Sequence, residues 1–305
     1  MAHRARVRHS KFVRYVTSGL AFEALTWSPT NSADAPLALC LHGYPDTAWT
    51  WRHLGPYLAE RGWRVVAPYM RGYAPTGLAQ DRCYQVGALA RDAIEAHGAL
   101  GGDHRAVLIG HDWGAVATYA VAAHSPELFT RVVTLAIPPA GAALRGVLAP
   151  PNLPLIARQL WYSRYMAFQQ LPVISERSLE RRIPRLWADW SPGYDGAQDA
   201  ARALEALHAP ARRTAAMRYY RALFQPWYRS RRYASEQRAM FGSPKVPTLY
   251  MHGMDDRCMR YELVRFAPRA LPPGSEIELV ERAGHFLQLE RPDEINERIA
   301  AFISL

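Results

Sequence analysis

Gly110-His111-Asp112-Trp113-Gly114 constrains this chain more than any other stretch. Ala106-Val107-Leu108-Ile109 precedes it, four apolar residues, two of them β-branched, that read as a short buried strand. A helical run follows from Ala115 to His124 and stops before Pro126. A strand that passes into a helix through Gly-x-Asp-x-Gly has the pattern of a nucleophile elbow. There the turn is too tight for side chains at the flanking positions, and the central side chain is lifted above the sheet. The plainer alternative is an ordinary strand-to-helix turn whose aspartate caps the helix.

Aspartate rather than serine at the centre sets the chemistry. A carboxylate needs no base to deprotonate it and can displace a leaving group at saturated carbon directly. The product is an alkyl ester of the protein, which water must then hydrolyse. That second step needs a base, so a histidine is expected late in the chain.

Strands and helices alternate around the elbow. Phe12–Thr17 and Leu20–Thr26 read as a hairpin about Ser18-Gly19. Apolar strands are expected at Leu37–Leu41, Trp63–Ala67 and Arg131–Ile137, with helices over Trp51–Glu60 and Tyr84–Gly98. The alternation stops between Pro138 and Pro244, where short helical pieces rich in aromatic residues are broken by prolines. It resumes with a strand at Val246–Met251, a helix near Arg260–Ala270, a strand at Glu276–Val280 and a helix from Pro292 to Phe302. This is an α/β pattern, a doubly wound and mostly parallel sheet. The core is expected in 1–137 and 245–305, with 138–244 as an inserted helical cap over the strand C-termini, where ligands bind in open α/β sheets.

Composition narrows the function. With 49% hydrophobic residues the chain has ample material for a core. No stretch approaches the roughly 18 apolar residues of a membrane helix, and the basic N-terminus makes a poor signal peptide. Cys40, Cys83 and Cys258 form neither a disulfide framework nor a zinc pattern, which fits a reducing cytoplasm. The net charge of +10 is carried almost wholly by arginine, since Lys11 and Lys245 are the only lysines. The arginines are scattered and accompanied by no nucleic-acid motif, so a solvated surface is expected rather than a nucleic-acid partner.

Two more motifs fall at the ends of late strands, His252-Gly253-Met254-Asp255-Asp256 and Ala283-Gly284-His285-Phe286. With Asp112 they stand in the order nucleophile, acid, base. His285 is the candidate base, and Asp255 or Asp256 would orient it; adjacent aspartates also serve as plain turn formers. His42-Gly43-Tyr44-Pro45 follows the first parallel strand, the place of an oxyanion-hole loop, so the backbone N–H groups of Tyr44 and Trp113 are assigned to that hole.

Taken together, His42-Gly43-Tyr44-Pro45, Gly110-His111-Asp112-Trp113-Gly114, Asp256 and Gly284-His285 resemble the epoxide hydrolase branch of the α/β-hydrolase superfamily, over the chain from about Phe12 onward. The Gly-x-x-Asp spacing from Gly253 favours Asp256 as the acid. The resemblance implies two cap tyrosines that activate the ring oxygen. They fall on Tyr165, in Tyr165-Met166-Ala167-Phe168-Gln169-Gln170-Leu171-Pro172, and on Tyr220, in Tyr219-Tyr220-Arg221, with Tyr162 and Tyr219 as neighbours one step out of register. The loop departs from the family at Tyr44 and Asp46, where phenylalanine and glutamate are common. The resemblance implies an enzyme without cofactor or metal that acts on a small apolar epoxide. His42, Pro45, Trp161, Phe168 and Phe224 are expected around that substrate. A haloalkane or haloacid dehalogenase shares the aspartate elbow, and a non-catalytic binding protein can share the fold. A homodimer is left open.

Overall fold

The computed structural model describes residues 10–29, 34–141 and 152–304; the expected core and cap ranges extend beyond them at 1–9, 30–33, 142–151 and 305. In chain order the described strands are Lys11–Val16 (β1), Ala21–Trp27 (β2), Leu37–Leu41 (β3), Arg64–Pro68 (β4), Val107–His111 (β5), Arg131–Leu135 (β6), Thr248–Gly253 (β7) and Glu276–Val280 (β8). They form one sheet in the order β1-β2-β4-β3-β5-β6-β7-β8. β1 and β2 are the expected hairpin, with Lys11 opposite Thr26 and Val16 opposite Ala21. β2 pairs antiparallel with β4, and every further pairing is parallel. Every residue of β3 and β5 is buried. Covered on both faces, these strands read as unbroken apolar runs rather than as alternation.

The chain steps from β3 to β4 on one side and then to β5 on the other. The loops after β3 and β5 therefore diverge from adjacent strands, which leaves a crevice at the switch point of the sheet. Leu54–Ala59 (α1), Val86–Ala99 (α2) and Trp113–His124 (α3) connect these strands. α3 begins at Trp113, two residues earlier than its apolar pattern suggests, because the elbow turn itself supplies the first helical residue. Asp112 sits at φ 51°, a left-handed conformation that costs a non-glycine residue energy and is typical of functional turns. The close approach of α3 to β3 forces glycine at 114: a Cβ there would fall onto the Leu41 carbonyl.

Between β6 and β7 the described chain is helical: Leu153–Tyr162 (α4), Arg164–Phe168 (α5), Ile174–Arg177 (α6), Leu179–Trp190 (α7), Ala197–Ala206 (α8), Pro210–Phe224 (α9) and Ala234–Ala239 (α10). Prolines start α9 and interrupt α7 at Pro184, which accounts for the broken pattern. Hydrogen bonds tie this segment to loops at the strand C-termini. Trp187 Nε1 donates to the Pro45 carbonyl (2.9 Å), Tyr219 Oη to the Arg71 carbonyl (2.8 Å) and the Ala74 N–H to the Ala206 carbonyl (3.0 Å). A partly buried ion pair joins Arg52 to Asp199 at 2.8 Å.

α10 does not lie with these helices. It packs against α2 and α3, with Glu236 paired to Arg91 and the Gly87 N–H donating to Gln237. The chain has thus returned to the sheet's flanking helices before residue 244. After β7, Tyr261–Arg269 winds as a 3₁₀ helix rather than the expected α-helix, yet its Leu263, Val264 and Ala267 are still buried. Leu287–Glu290 (α11) and Pro292–Ile303 (α12) close the chain, the latter with proline at its N1 position as expected. Among the described residues no helix is long and apolar enough to cross a membrane.

Gly114→Ala should lower stability by about 3 kcal/mol, because backbone cannot yield as a side chain can. Gly98, exposed in α2 with open space at its Cβ, provides the contrast. Gly98→Ala should stabilise by about 0.5–1 kcal/mol. Chemical denaturation of both variants would check this, and equal shifts would contradict the packing argument.

Candidate active site

The carboxylate of Asp112 is 6% exposed and stands where the β3 and β5 loops meet. The Tyr44 N–H donates to its Oδ1 at 2.7 Å. Gly43 permits this approach, because a Cβ there would overlap the Asp112 side chain. The Trp113 N–H opens helix α3 and has no acceptor four residues back within the helix. Oδ1 is thus the held oxygen, and Oδ2 faces His285 Nε2 at 3.7 Å.

His285 is fully buried and bridges two acids. Its Nδ1–H donates to Asp256 Oδ2 at 2.9 Å, since an ionised carboxylate can only accept. Asp256 Oδ1 accepts from the N–H groups of Cys258 (2.7 Å) and Met259 (2.9 Å). Asp255 is exposed, so the structure brings Asp256 and not its neighbour to the imidazole. Burial alone would lower the pKa of His285, but the charges of Asp256 and Asp112 outweigh it and push the value up to about 10.

Several braces on His285 carry no signature in the sequence. The Trp190 carbonyl accepts from the His285 N–H (3.0 Å), Ser191 Oγ accepts from the Phe286 N–H (3.1 Å), and Glu290 accepts from both the Gly284 N–H (2.8 Å) and Ser191 Oγ (2.6 Å). His111 Nε2–H donates to the His285 carbonyl at 2.9 Å. Burial and the neighbouring His285 lower the pKa of His111 to about 3, which keeps it neutral. The histidine inside the elbow motif is therefore a strut for the base.

Tyr165 and Tyr220 converge on the same place from α5 and α9. Their rings meet edge-on at 5.8 Å, and Tyr220 also lies edge-on to Trp113 (5.0 Å) and Tyr44 (5.3 Å). Tyr165 Oη lies 3.5 Å from Cys258 Sγ, whereas Tyr220 Oη is buried without a partner. Burial raises both phenol pKa values well above the ordinary value, and the Asp112 charge adds to the effect. Both are held as neutral hydroxyls. Tyr219 is occupied by the Arg71 carbonyl and Tyr162 is only half-buried, so of the four tyrosines Tyr165 and Tyr220 are the two that are buried with no backbone partner at the hydroxyl.

The residues expected around a substrate divide. Trp161 and Phe168 line a cavity of about 640 Å³ whose floor includes Tyr165 and Trp190. Asp112 is not on its wall. Three expectations are corrected. His42 is fully buried, with Nδ1–H donating to the Gly43 carbonyl (2.9 Å) and Nε2 accepting from the Met70 N–H (3.0 Å), so its ring braces the loop beneath the site. Pro45 is buried and outside the cavity wall, its carbonyl taken by Trp187. Phe224, one helical turn beyond Tyr220, is 62% exposed and outside the cavity wall, because α9 emerges into solvent there. Among the described residues no cluster of His, Cys, Asp or Glu is arranged to hold a metal ion.

This elbow, at the switch point of such a sheet, defines a class, and the chain belongs to the alpha/beta hydrolase fold family, whose model matches residues 36–292. It is 29% identical over 279 residues to the AB hydrolase superfamily protein YfhM of Bacillus subtilis (strain 168), covering 88% of this chain and 91% of that protein. It is 27% identical over 297 residues to Epoxide hydrolase A of Mycobacterium tuberculosis (strain ATCC 25618 / H37Rv), with the same coverage of 88% and 91%. The solved structure of an epoxide hydrolase from an endophytic Streptomyces superposes with a TM-score of 0.74 at 23% identity, covering 97% of this chain and 95% of that one.

The proton on His285 gives a stability signature. In the unfolded chain the imidazole loses it near pH 6.5, whereas the folded protein holds it to about 10. The contribution is full below about 6.5 and is lost as pH rises towards about 10. Melting temperature should therefore decline across that window, and His285→Gln should flatten the decline. Parallel pH profiles of the two proteins would contradict the assignment.

Proposed function

We propose that this chain is an epoxide hydrolase that converts an epoxide and water to a vicinal diol through an ester on Asp112. The observation that supports this most is the pair of buried neutral tyrosines beside Asp112, one with its hydroxyl unpartnered. An oxirane has no separate leaving group. Its opening concentrates charge on the ring oxygen, and two phenol donors suit that charge. The similarity to Epoxide hydrolase A of M. tuberculosis points the same way. On this reading the helices within 138–244 that lie over the strand ends act as a cap, and no cofactor or metal takes part.

Oδ1 of Asp112 is engaged by the Tyr44 N–H, so Oδ2 attacks the ring carbon. The C–O bond of the oxirane breaks, its electron pair stays on the ring oxygen, and that oxygen takes a proton from a tyrosine phenol. Esterification removes the Asp112 charge, one of the two charges that hold the extra proton on His285. The imidazole pKa falls, its proton makes good the one given up by the phenol, and His285 becomes neutral. It can then take a proton from water attacking the Asp112 carbonyl carbon. The N–H groups of Tyr44 and Trp113 carry the charge of the tetrahedral intermediate. Collapse releases the diol, regenerates the carboxylate and leaves His285 protonated again, so charge and protons balance over the cycle.

A second reading has its own support. Trp113 Nε1 is buried without an acceptor, and a departing halide could take it. This keeps dehalogenation as the alternative.

Diol release from a panel of neutral epoxides, with haloalkanes alongside, tests the proposal. His285→Gln should form the ester but fail to hydrolyse it, so intact mass should rise by that of the substrate. A protein that binds the epoxide yet never gains mass would sink the scheme.

Tyr165→Phe and Tyr220→Phe should each cost on the order of 3 kcal/mol in ester formation, roughly 10²-fold. If both retain full epoxide turnover, the assigned roles of the tyrosines are wrong. If they retain dehalogenation while no epoxide is opened, the halide reading takes over.

A further inference from the structure

The cavity above Tyr165 and Trp190 is cationic. Arg164, Arg182, Arg185 and Arg257 line it against one carboxylate, Asp189. They come from three separate places in the chain, α5, α7 and the loop after β7. The Arg164 guanidinium lies 4.6 Å from the Trp161 ring centroid and that of Arg182 lies 4.0 Å from the Phe168 centroid, so aromatic faces hold both. Arg164 spends one N–H on the Trp161 carbonyl at 2.7 Å.

Several buried or partly buried arginines of this chain are matched to acids, as in Arg52–Asp199, Arg71–Asp92 and Arg221–Glu176, while Arg64 and Arg212 donate to backbone carbonyls. Among the described residues, none of the four cavity arginines stands in an ion pair within 4.0 Å. Arg182 is partly buried, and beside burial it feels Tyr44, which favours its cation, and a like charge, Arg164, which does not. Burial and that repulsion both disfavour its cation. A concave wall that gathers unneutralised guanidinium groups concentrates positive potential where a ligand sits.

We propose that the substrate carries an anionic oxygen group, carboxylate or phosphate, which Arg182 and its neighbours bind while the epoxide reaches Asp112 past Tyr165. This rests on the epoxide hydrolase reading and narrows it from any apolar epoxide to an epoxide with an acidic end. Guanidinium forks match both anions in geometry. The site is a cavity of about 640 Å³, the size of a small-molecule pocket rather than a flat basic face.

The test compares kcat/KM for a terminal epoxy carboxylate, its methyl ester and a terminal epoxyalkyl phosphate of the same length. The preferred anion should exceed the neutral ester by roughly 10-fold or more at low salt. The advantage should shrink markedly in about 0.5 M salt. Arg182→Gln should remove most of it, and the exposed Arg185→Gln and Arg257→Gln, which carry little folding risk, should each reduce it. Whichever anion leads identifies the head group. Equal values for ester and anions, or a preference that survives all three substitutions, would overturn the inference.

A binding arm separates the two readings. Asp112→Asn cannot form the ester, and calorimetry with the corresponding diol acid and diol ester reads the arginines without chemistry. Tighter, salt-sensitive binding of the acid, lost in Arg182→Gln, supports the anion site even if wild type opens no epoxide, in which case the epoxide reading alone fails. Neutral epoxides opened with no advantage to the acid in either assay would leave the enzyme reading standing and end this one.

Discussion

The hydrogen bond from the Tyr44 N–H to Asp112 Oδ1, 2.7 Å long, joins the two loops that flank the switch point of the sheet. Much of the architecture serves it. β3 and β5 must be adjacent and parallel, the β3 loop must present backbone at Gly43 without a side chain, and the elbow must hold Asp112 at a positive φ. His42 supports the arrangement from below with both ring nitrogens. The strain of the elbow is offset by burial on every side, since rigid packed surroundings can hold a residue in a conformation it would leave in solution.

The second constraint is electrostatic. His285 lies between two carboxylates in a buried place, where charges interact more strongly than in water. An imidazole so placed holds an extra proton, and a neutral one is needed to activate water. The proposed ester resolves that conflict, because forming it removes one of the two negative charges. The order of the two chemical steps then sets the protonation state, with no outside trigger required. The loop that carries His285 hangs on the Trp190 carbonyl and on Ser191, at the end of α7. The inserted helices are thereby tied to the candidate base as well as to the cavity they line.

Those helices also decide what reaches the site. They carry the candidate tyrosines Tyr165 and Tyr220, and arginines of α5 and α7 line the cavity beside Tyr165. The chain's net charge of +10 reads as a diffuse property along the sequence, and many of the arginines that carry it are paired with acids in the fold. What sets the cavity apart is that its share is gathered on a concave wall and left unmatched.

The local features were legible in the sequence because they are short-range. A buried β-branched run, glycines two residues either side of a central aspartate, and alternating strands and helices are patterns of neighbouring residues. From them follow the doubly wound sheet, the elbow at Asp112 and the interrupted middle segment. The strand-end positions of Asp256 and His285 follow from the same alternation, and the Gly-x-x-Asp spacing already favours Asp256, which the folded loop brings to the imidazole while Asp255 stays exposed. Sequence context likewise points to Tyr165 and Tyr220, and the fold adds that the neighbouring Tyr219 is engaged by the Arg71 carbonyl. The inward role of His42, the outward path of Phe224 and the meeting of Arg164, Arg182, Arg185 and Arg257 left no trace in any window of the sequence. Periodicity tells which face of an element is apolar. Only packing decides which other element covers that face and which distant side chains are brought together there.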